Sequence, residues 1–255
     1  MIKKLLIRFL PARLLSSLKK HYYARRVKTF WEHDIEPIKY LVNPGDAAID
    51  IGANVGWYTR ILCQLVAQHG KVYAIEPIPQ TFELLSSVIQ QLHLSNVELI
   101  NCAISDTEGS AAMEIPLYES NGIENYYMAR LCVSKDPTNS LQKKVNLRTL
   151  DSLFSEHPKN IIFIKCDVEG HELSVIRGAS HLIAQCKPAW LLEISGNPDD
   201  EGSPAEHVFR SLAAYGYAPY WFDGQKLRKR ITADTSTNYF FLQPSHAARL
   251  NVLIL

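Results

Sequence analysis

Several protein classes are excluded by what this sequence lacks. No apolar run reaches the ~18 residues that cross a bilayer as a helix, and no stretch has the short apolar centre and small-residue cleavage site of a secretory leader. The five cysteines, Cys63, Cys102, Cys132, Cys166 and Cys186, are odd in number, far apart and without a C-x-x-C pair. That spacing argues against a disulfide framework, a zinc knuckle or dithiol chemistry, and for a reduced, cytoplasmic setting. No H-E-x-x-H or other close histidine pair occurs, so no metal site is expected.

Acidic residues are missing from positions 1–30, which carry nine lysines and arginines; the other 18 basic residues stand against all 26 acidic ones. Such asymmetry divides the chain into a basic amphipathic N-terminal segment, 1–30, and a net-negative domain, 31–255. Ile2, Leu5, Leu6, Phe9 and Leu10, then Leu14, Leu15, Leu18 and Tyr22 after Pro11, place apolar residues on one face of a helix pair. Residues 1–28 suit peripheral contact with an anionic membrane, at its inner face, or packing of the apolar face on the domain. The negative remainder argues against nucleic acid.

What is present is more specific. Ala48-Ile49-Asp50-Ile51 reads as a buried strand, Gly52-Ala53-Asn54-Val55-Gly56 as a glycine loop opening a helix, and Val72 to Ile75 as a second strand ending in Glu76-Pro77. This is how a parallel α/β sheet holds the ribose of a nucleoside-like cofactor, with Glu76 accepting from both hydroxyls. A dinucleotide site would have glycine where Asn54 stands, and Asp50 would repel a pyrophosphate. A cationic amino-acid tail suits Asp50, which favours S-adenosylmethionine over a dinucleotide; a glycine turn without a ligand is the bland alternative.

A strand-helix rhythm continues. Trp57 to Gln68 forms a helix, with Gly70 expected as its left-handed cap. A second helix runs to Leu92, Val97 to Ile104 forms a third strand, and 114–144 is a long polar loop with Tyr118, Asn121, Asn125, Tyr126, Tyr127 and Arg130, a natural substrate lid. Another apolar strand, Ile161 to Ile164, leads into Lys165-Cys166-Asp167-Val168-Glu169-Gly170-His171-Glu172. Ligands bind at the carboxyl ends of such strands, so Asp167, Glu169 and His171 are candidate catalytic groups, with His171 the first choice of base. The plainer reading is an acidic helix N-terminus.

Taken in order, Asp50 to Gly56, Glu76-Pro77, Ala103-Ile104-Ser105-Asp106, Thr149-Leu150-Asp151-Ser152-Leu153, Lys165 to Glu172 and Trp190-Leu191-Leu192-Glu193-Ile194 resemble the FkbM family of S-adenosylmethionine-dependent methyltransferases. The resemblance runs from about 48 to 195. It implies a class I methyltransferase (Rossmann-like) α/β fold, with a seven-stranded mostly parallel sheet, helices on both faces and an antiparallel last strand. It also implies methyl transfer to a hydroxyl, on a sugar, glycan or natural product. Carried over by position, Gly52, Ala53, Asn54, Val55 and Gly56 wrap the methionine part, Asp50 helps bind its ammonium, Glu76 and Pro77 flank the ribose, and Ala103 or Asp106 lies beside the adenine. Asp167 and Glu169 match the acidic motif. Two alternatives are a methyltransferase acting on protein or nucleic acid, and a non-catalytic membrane-associated cofactor-binding module.

Overall fold

Apolar runs bounded by glycine and proline become the central strands, because a strand covered on both faces needs no polar alternation. The computed structural model describes residues 12–116, 129–131, 140–155 and 160–255. Helices α1 (Ala12–Thr29) and α2 (Ile35–Leu41) lead into β1 (Ala47–Ile51), α3 (Trp57–Val66), β2 (Lys71–Ile75), α4 (Pro79–Gln91) and β3 (Val97–Ile100). Next come β4 (Ala103–Ile104), β5 (Gly109–Pro116), β6 (Arg130–Leu131), β7 (Ser140–Arg148) and α5 (Leu150–Leu153). The chain then forms β8 (Ile161–Cys166), α6 (Glu172–Arg177), α7 (Ser180–Cys186) and β9 (Ala189–Glu193). It ends with α8 (Pro204–Ala214), β10 (Ala218–Phe222), β11 (Leu227–Lys229), β12 (Asn238–Leu242) and α9 (Pro244–Arg249).

The main sheet has the order β11-β10-β12-β9-β8-β1-β2-β3. From β3 to β9 neighbouring strands are parallel, and β12 is antiparallel to β9 and to β10. Seven strands therefore take the expected arrangement, and β11, antiparallel to β10, adds an eighth at the edge. The chain's end holds that edge: Leu227 N donates to Leu253 O at 2.8 Å, and Leu255 N to Leu227 O at 3.2 Å. Strands alternate their side chains between two cores. Ile49, Ile164, Trp190 and Phe241 face α6, α7 and α8, while Ala48, Phe163, Leu191 and Phe240 face α2 and α3. Between β1 and β8 the connection reverses direction across the sheet, the place where α/β sheets open a crevice for ligands.

Four local expectations change. The third strand breaks after Ile100, because Asn101 Nδ2 donates to the carbonyls of Glu76 (2.8 Å) and Pro77 (3.1 Å) and turns the chain out of the sheet. Ala103–Ile104 then joins a separate sheet, β4-β7-β5-β6. Gly70 does not adopt the left-handed cap; the helix ends earlier, at Ala67, whose φ is 54° with an extended ψ of −169°. Glycine serves a spatial need at 70, where a Cβ would overlap Val66 and the Asp46 carbonyl.

The 114–144 loop is partly sheet: β5 and β7 pair over eight positions, from Gly109↔Leu147 to Pro116↔Ser140, and Arg130 pairs with Glu114. Met113, Ile115, Val145 and Leu147 turn one face of this ribbon onto Ile78 and Ala103. Tyr118, Asn121, Asn125, Tyr126 and Tyr127 lie outside the described residues. So do residues 1–11 of the basic segment. The rest of that segment is no free appendage, since Ala24 and Val27 of α1 are buried against Val55, Leu84 and Val88.

Candidate active site

The glycine loop after β1 is shaped first by its contact with the chain after β8. Asp167 N donates to Ile51 O at 3.1 Å, and a Cβ on Gly52 would collide with the Asp167 carbonyl. Gly52 also has a φ of 76°, so both space and conformation require glycine there. Its N–H and that of Ala53 donate to Ile75 O at 3.0 Å, which ties the loop to the end of β2. Asn54 turns left-handed at φ 51°, a conformation asparagine tolerates better than most residues.

Glu76 is buried at the end of β2. Its Oε2 accepts from Asn54 N and its Oε1 from Ile78 N, both at 3.0 Å. A carboxylate has about four lone-pair positions, so each oxygen keeps one for a ligand hydroxyl. Burial lifts its pKa to about 7, against the opposing effect of the two backbone donors. Asp50, in mid-strand and 2 % exposed, accepts from Thr59 Oγ1 at 2.5 Å. Burial raises it to about 6.

After β8 the chain makes a strained turn: Glu169 is left-handed at φ 53° and Gly170 at φ 94°. A glutamate in that region costs on the order of 1–2 kcal/mol, and such strain concentrates at functional sites. Buried Glu172 holds the turn by accepting from Gly170 N at 2.9 Å. Burial and the neighbouring Asp167 charge raise Glu169 to about 7. His171 Nε2 and Ser105 Oγ lie 3.0 Å apart in a hydrogen bond, and burial lowers the imidazole's pKa.

These elements enclose two clefts that share Gly52, Asn54 and Asp167. The first lies between Glu76-Pro77-Ile78, the Cys102-Ala103-Ile104 turn, Met113 and Leu131 of the second sheet, and Asp167 to Glu169 with His171. The second contains Asp50, Ala53, Trp57, Tyr58, Lys165 and Glu193.

Most residues expected at the site meet here: Gly52, Asn54, Glu76, Pro77, Ala103, Asp167, Glu169 and His171 line the first cleft, and Asp50 and Ala53 the second. Three do not. Asp106 is exposed, accepts from Ser105 Oγ at 3.3 Å and lines neither cleft; of the two residues expected there, Ala103 lines the first, between Cys102 and Ile104. Val55 packs under α1 and α4, and Gly56 starts α3 at φ 94°, with Leu85 where its side chain would be. These two shape the loop without facing either cleft. The sequence reading missed Lys165, Glu193, Glu32 and Asn238. A lysine inside the apolar run Ile161–Cys166 was the visible signal.

S-adenosylmethionine fits the first cleft by its chemistry: apolar walls for adenine, Glu76 lone pairs for two ribose hydroxyls, and a glycine loop that opens onto carboxylates suited to a cationic tail. Comparison with known proteins agrees. Residues 50–219, more than half of the chain, match the Methyltransferase FkbM domain. "Methyltransferase 1" of Beauveria bassiana is 27% identical over 164 residues, 57% of this chain and 61% of that protein, so the chain spans less than two thirds of this relative. A solved protein described as an rRNA methylase, from Clostridium thermocellum, shares the fold at a TM-score of 0.50 and 13% identity, over 82% of this chain and 90% of that one. Methyltransferase FkbM from Methylobacillus flagellatus is 16% identical, with a TM-score of 0.47, over 91% of this chain and 60% of that one. The chain belongs to the FkbM methyltransferase family.

Proposed function

We propose that the protein methylates a hydroxyl oxygen on a sugar, glycan or natural product. The observation that carries this reading is the position of Asp167, shared by both clefts and flanked by Glu169 and Glu193, so that carboxylates meet where cofactor and acceptor would face each other. When bound, S-adenosylmethionine supplies an activated methyl: the acceptor oxygen gains the bond to carbon, the C–S electron pair stays on a neutral sulfur, and the hydroxyl proton passes to a base.

The chain's own task is to align and desolvate the acceptor and to take that proton. Asp167 is the base favoured by position, with Glu169 beside it. His171 is the weaker choice, because Ser105 holds its ring on the first cleft. Glu76 and Pro77 would grip the ribose, Ala103 the adenine, and Asp50 the ammonium from beneath the loop. The net-negative remainder of the chain speaks against a nucleic-acid acceptor.

Calorimetric titration with S-adenosylmethionine and S-adenosylhomocysteine, with NAD as control, tests the cofactor, and mass spectrometry for one added methyl across hydroxylated acceptors tests the reaction. Binding of NAD alone would sink the reading.

One observation favours peripheral membrane contact as a second property. Leu14, Leu18 and Tyr22, one helical turn apart on α1, are about half exposed among basic residues. No described helix is long and apolar enough to cross a membrane. Co-sedimentation with anionic vesicles should fall on Leu18→Glu; equal partitioning would remove this property.

A further inference from the structure

Beside Asp50, the second cleft contains polar groups for which the cofactor reading has no use. Asp50 stands opposite Lys165 in the β1–β8 register and Glu193 opposite Asn238 in the β9–β12 register, while between β8 and β9 Lys165 stands opposite Leu191, two residues before Glu193 on the same face. Lys165 is about 95% buried, yet its Nζ has no hydrogen-bond partner. It lies 3.7 Å from Asp167 Oδ2, 3.9 Å from Glu193 Oε2 and 5.3 Å from the Tyr58 ring centre. Tyr58 Oη and Asn238 Oδ1 are also buried and unpartnered, and their residues line the same cleft. The two carboxylates balance the ammonium's charge without giving it a hydrogen bond, and buried polar atoms in native folds nearly always have one. Three atoms around this opening therefore keep hydrogen-bonding capacity that a ligand could use.

The outer wall comes from outside the family-matched residues 50–219. The Phe30–Asp34 segment is pinned at both ends: Arg60 Nη2 donates to Phe30 O at 2.7 Å, and Asn238 Nδ2 to Asp34 Oδ2 at 2.8 Å. Between the pins, Glu32 lines the cleft. The Phe30 ring packs 5.0 Å from Trp57 and 6.1 Å from Tyr58, which gives the cleft an aromatic wall.

We propose that this cleft is the acceptor subsite, in which Lys165 Nζ, Tyr58 Oη and Asn238 Oδ1 bind a neutral, carbohydrate-type polyol beside the Phe30, Trp57 and Tyr58 rings, with Glu32 on the pinned segment setting specificity. The proposal rests on the methyltransferase reading above and adds the place of the second substrate. A hydroxyl both donates and accepts. It can therefore accept from Lys165 and donate to Asp167, which takes the proton as the oxygen bonds to carbon. Glu32, Asp167 and Glu193 outnumber the single ammonium, so a phosphorylated or carboxylated acceptor is repelled. The rings offer flat apolar surface to the C–H faces of a sugar.

The test uses the full chain loaded with S-adenosylhomocysteine. Saturation-transfer NMR is recorded with methyl α-D-glucopyranoside, methyl α-D-mannopyranoside and methyl α-L-rhamnopyranoside, and with glucose 6-phosphate as the anionic control. Transfer to at least one neutral glycoside and none to the phosphate is expected. Lys165→Met and Glu32→Gln should each weaken glycoside binding at least tenfold while calorimetric affinity for S-adenosylhomocysteine stays within fivefold of the wild type.

A larger loss of S-adenosylhomocysteine affinity in Lys165→Met overturns the proposal, because Lys165 would then hold the cofactor's carboxylate. Silence from every glycoside, transfer to the phosphate, or glycoside binding that survives both substitutions also overturns it. Glu32→Gln, on the half-buried segment, decides the matter alone should Lys165→Met fail to fold. Failure of the wild type to bind S-adenosylhomocysteine at all would instead count against the methyltransferase reading.

Discussion

The two clefts open at the same ends of the parallel strands and share three residues, yet they are built in opposite ways. The first is assembled from 51–171, with its key carboxylate, Glu76, already satisfied by two backbone donors. The second gathers residues from Phe30 to Asn238 and holds an ammonium flanked by two carboxylates, a phenol and an amide oxygen, none of the three with a hydrogen-bond partner. A site whose polar groups are held before the ligand arrives is preorganised for one constant ligand. A site assembled from distant segments varies with any of them, which suits the acceptor proposed for it. The difference teaches where to test function in this family member: cofactor binding at the glycine loop, and the proposed acceptor specificity at the chain's outer segments.

That comparison can be broken at the shared residues first. Gly52→Ala forces a side chain into the Asp167 carbonyl at a left-handed position, and on the order of 3 kcal/mol of folding stability should be lost, with both clefts disturbed together. Chemical denaturation checks this. Unchanged stability would mean that the two loops do not meet as described.

Glu76→Ala should separate the clefts. Hydrogen bonds to charged groups are worth about 1.5–3 kcal/mol each, so loss of two ribose contacts lowers S-adenosylhomocysteine affinity about 100-fold or more. Calorimetry reads it directly, and an unaltered Kd would remove Glu76 from the ribose.

pH sharpens the contrast further. With the carboxyl of Glu76 lifted from 4.5 to about 7, the anion that accepts ribose hydroxyls forms only as pH rises through 7. Cofactor affinity should climb between pH 5.5 and 8 and flatten above, and Glu76→Gln should abolish the slope. For folding the sign is opposite. A carboxyl raised in the folded state stabilises fully below 4.5, and that contribution is lost as pH rises through about 7, so the ligand-free protein should be less stable at pH 8 than at pH 5 from this group.

The smallest effect is expected at His171. A general base contributes about 10²–10⁴-fold, and His171→Ala should reduce turnover less than that lower bound while leaving pH dependence in place. A loss of 10³ would return the base to the histidine.

Much of this was legible in the chain itself. The strand-loop-helix from Ala48 to Val66, the carboxylate at Glu76 and the acidic turn after Cys166 each carry their information within a dozen residues, because periodicity and glycine placement act over one or two elements. For the same reason the sequence misplaced what depends on neighbours. Asn101 looked like a strand residue until its amide was seen to hold the Glu76 and Pro77 carbonyls, and Gly70 looked like a cap until the Asp46 carbonyl was seen beside it. The β5–β7 ribbon hid behind its polar outward face.

By itself, then, the sequence determined the parallel sheet, the glycine loop after β1 and the placing of Asp50 and Glu76 on or at the end of strands beside it, since these follow from local pattern and the chemistry of single residues. Only the tertiary structure decided that Glu32, Lys165, Glu193 and Asn238 share one opening, that Asp106 lies outside it, and that Asp167 joins the two clefts. Those facts depend on strand order and register, which bring together positions up to two hundred residues apart and leave no periodic trace along the chain.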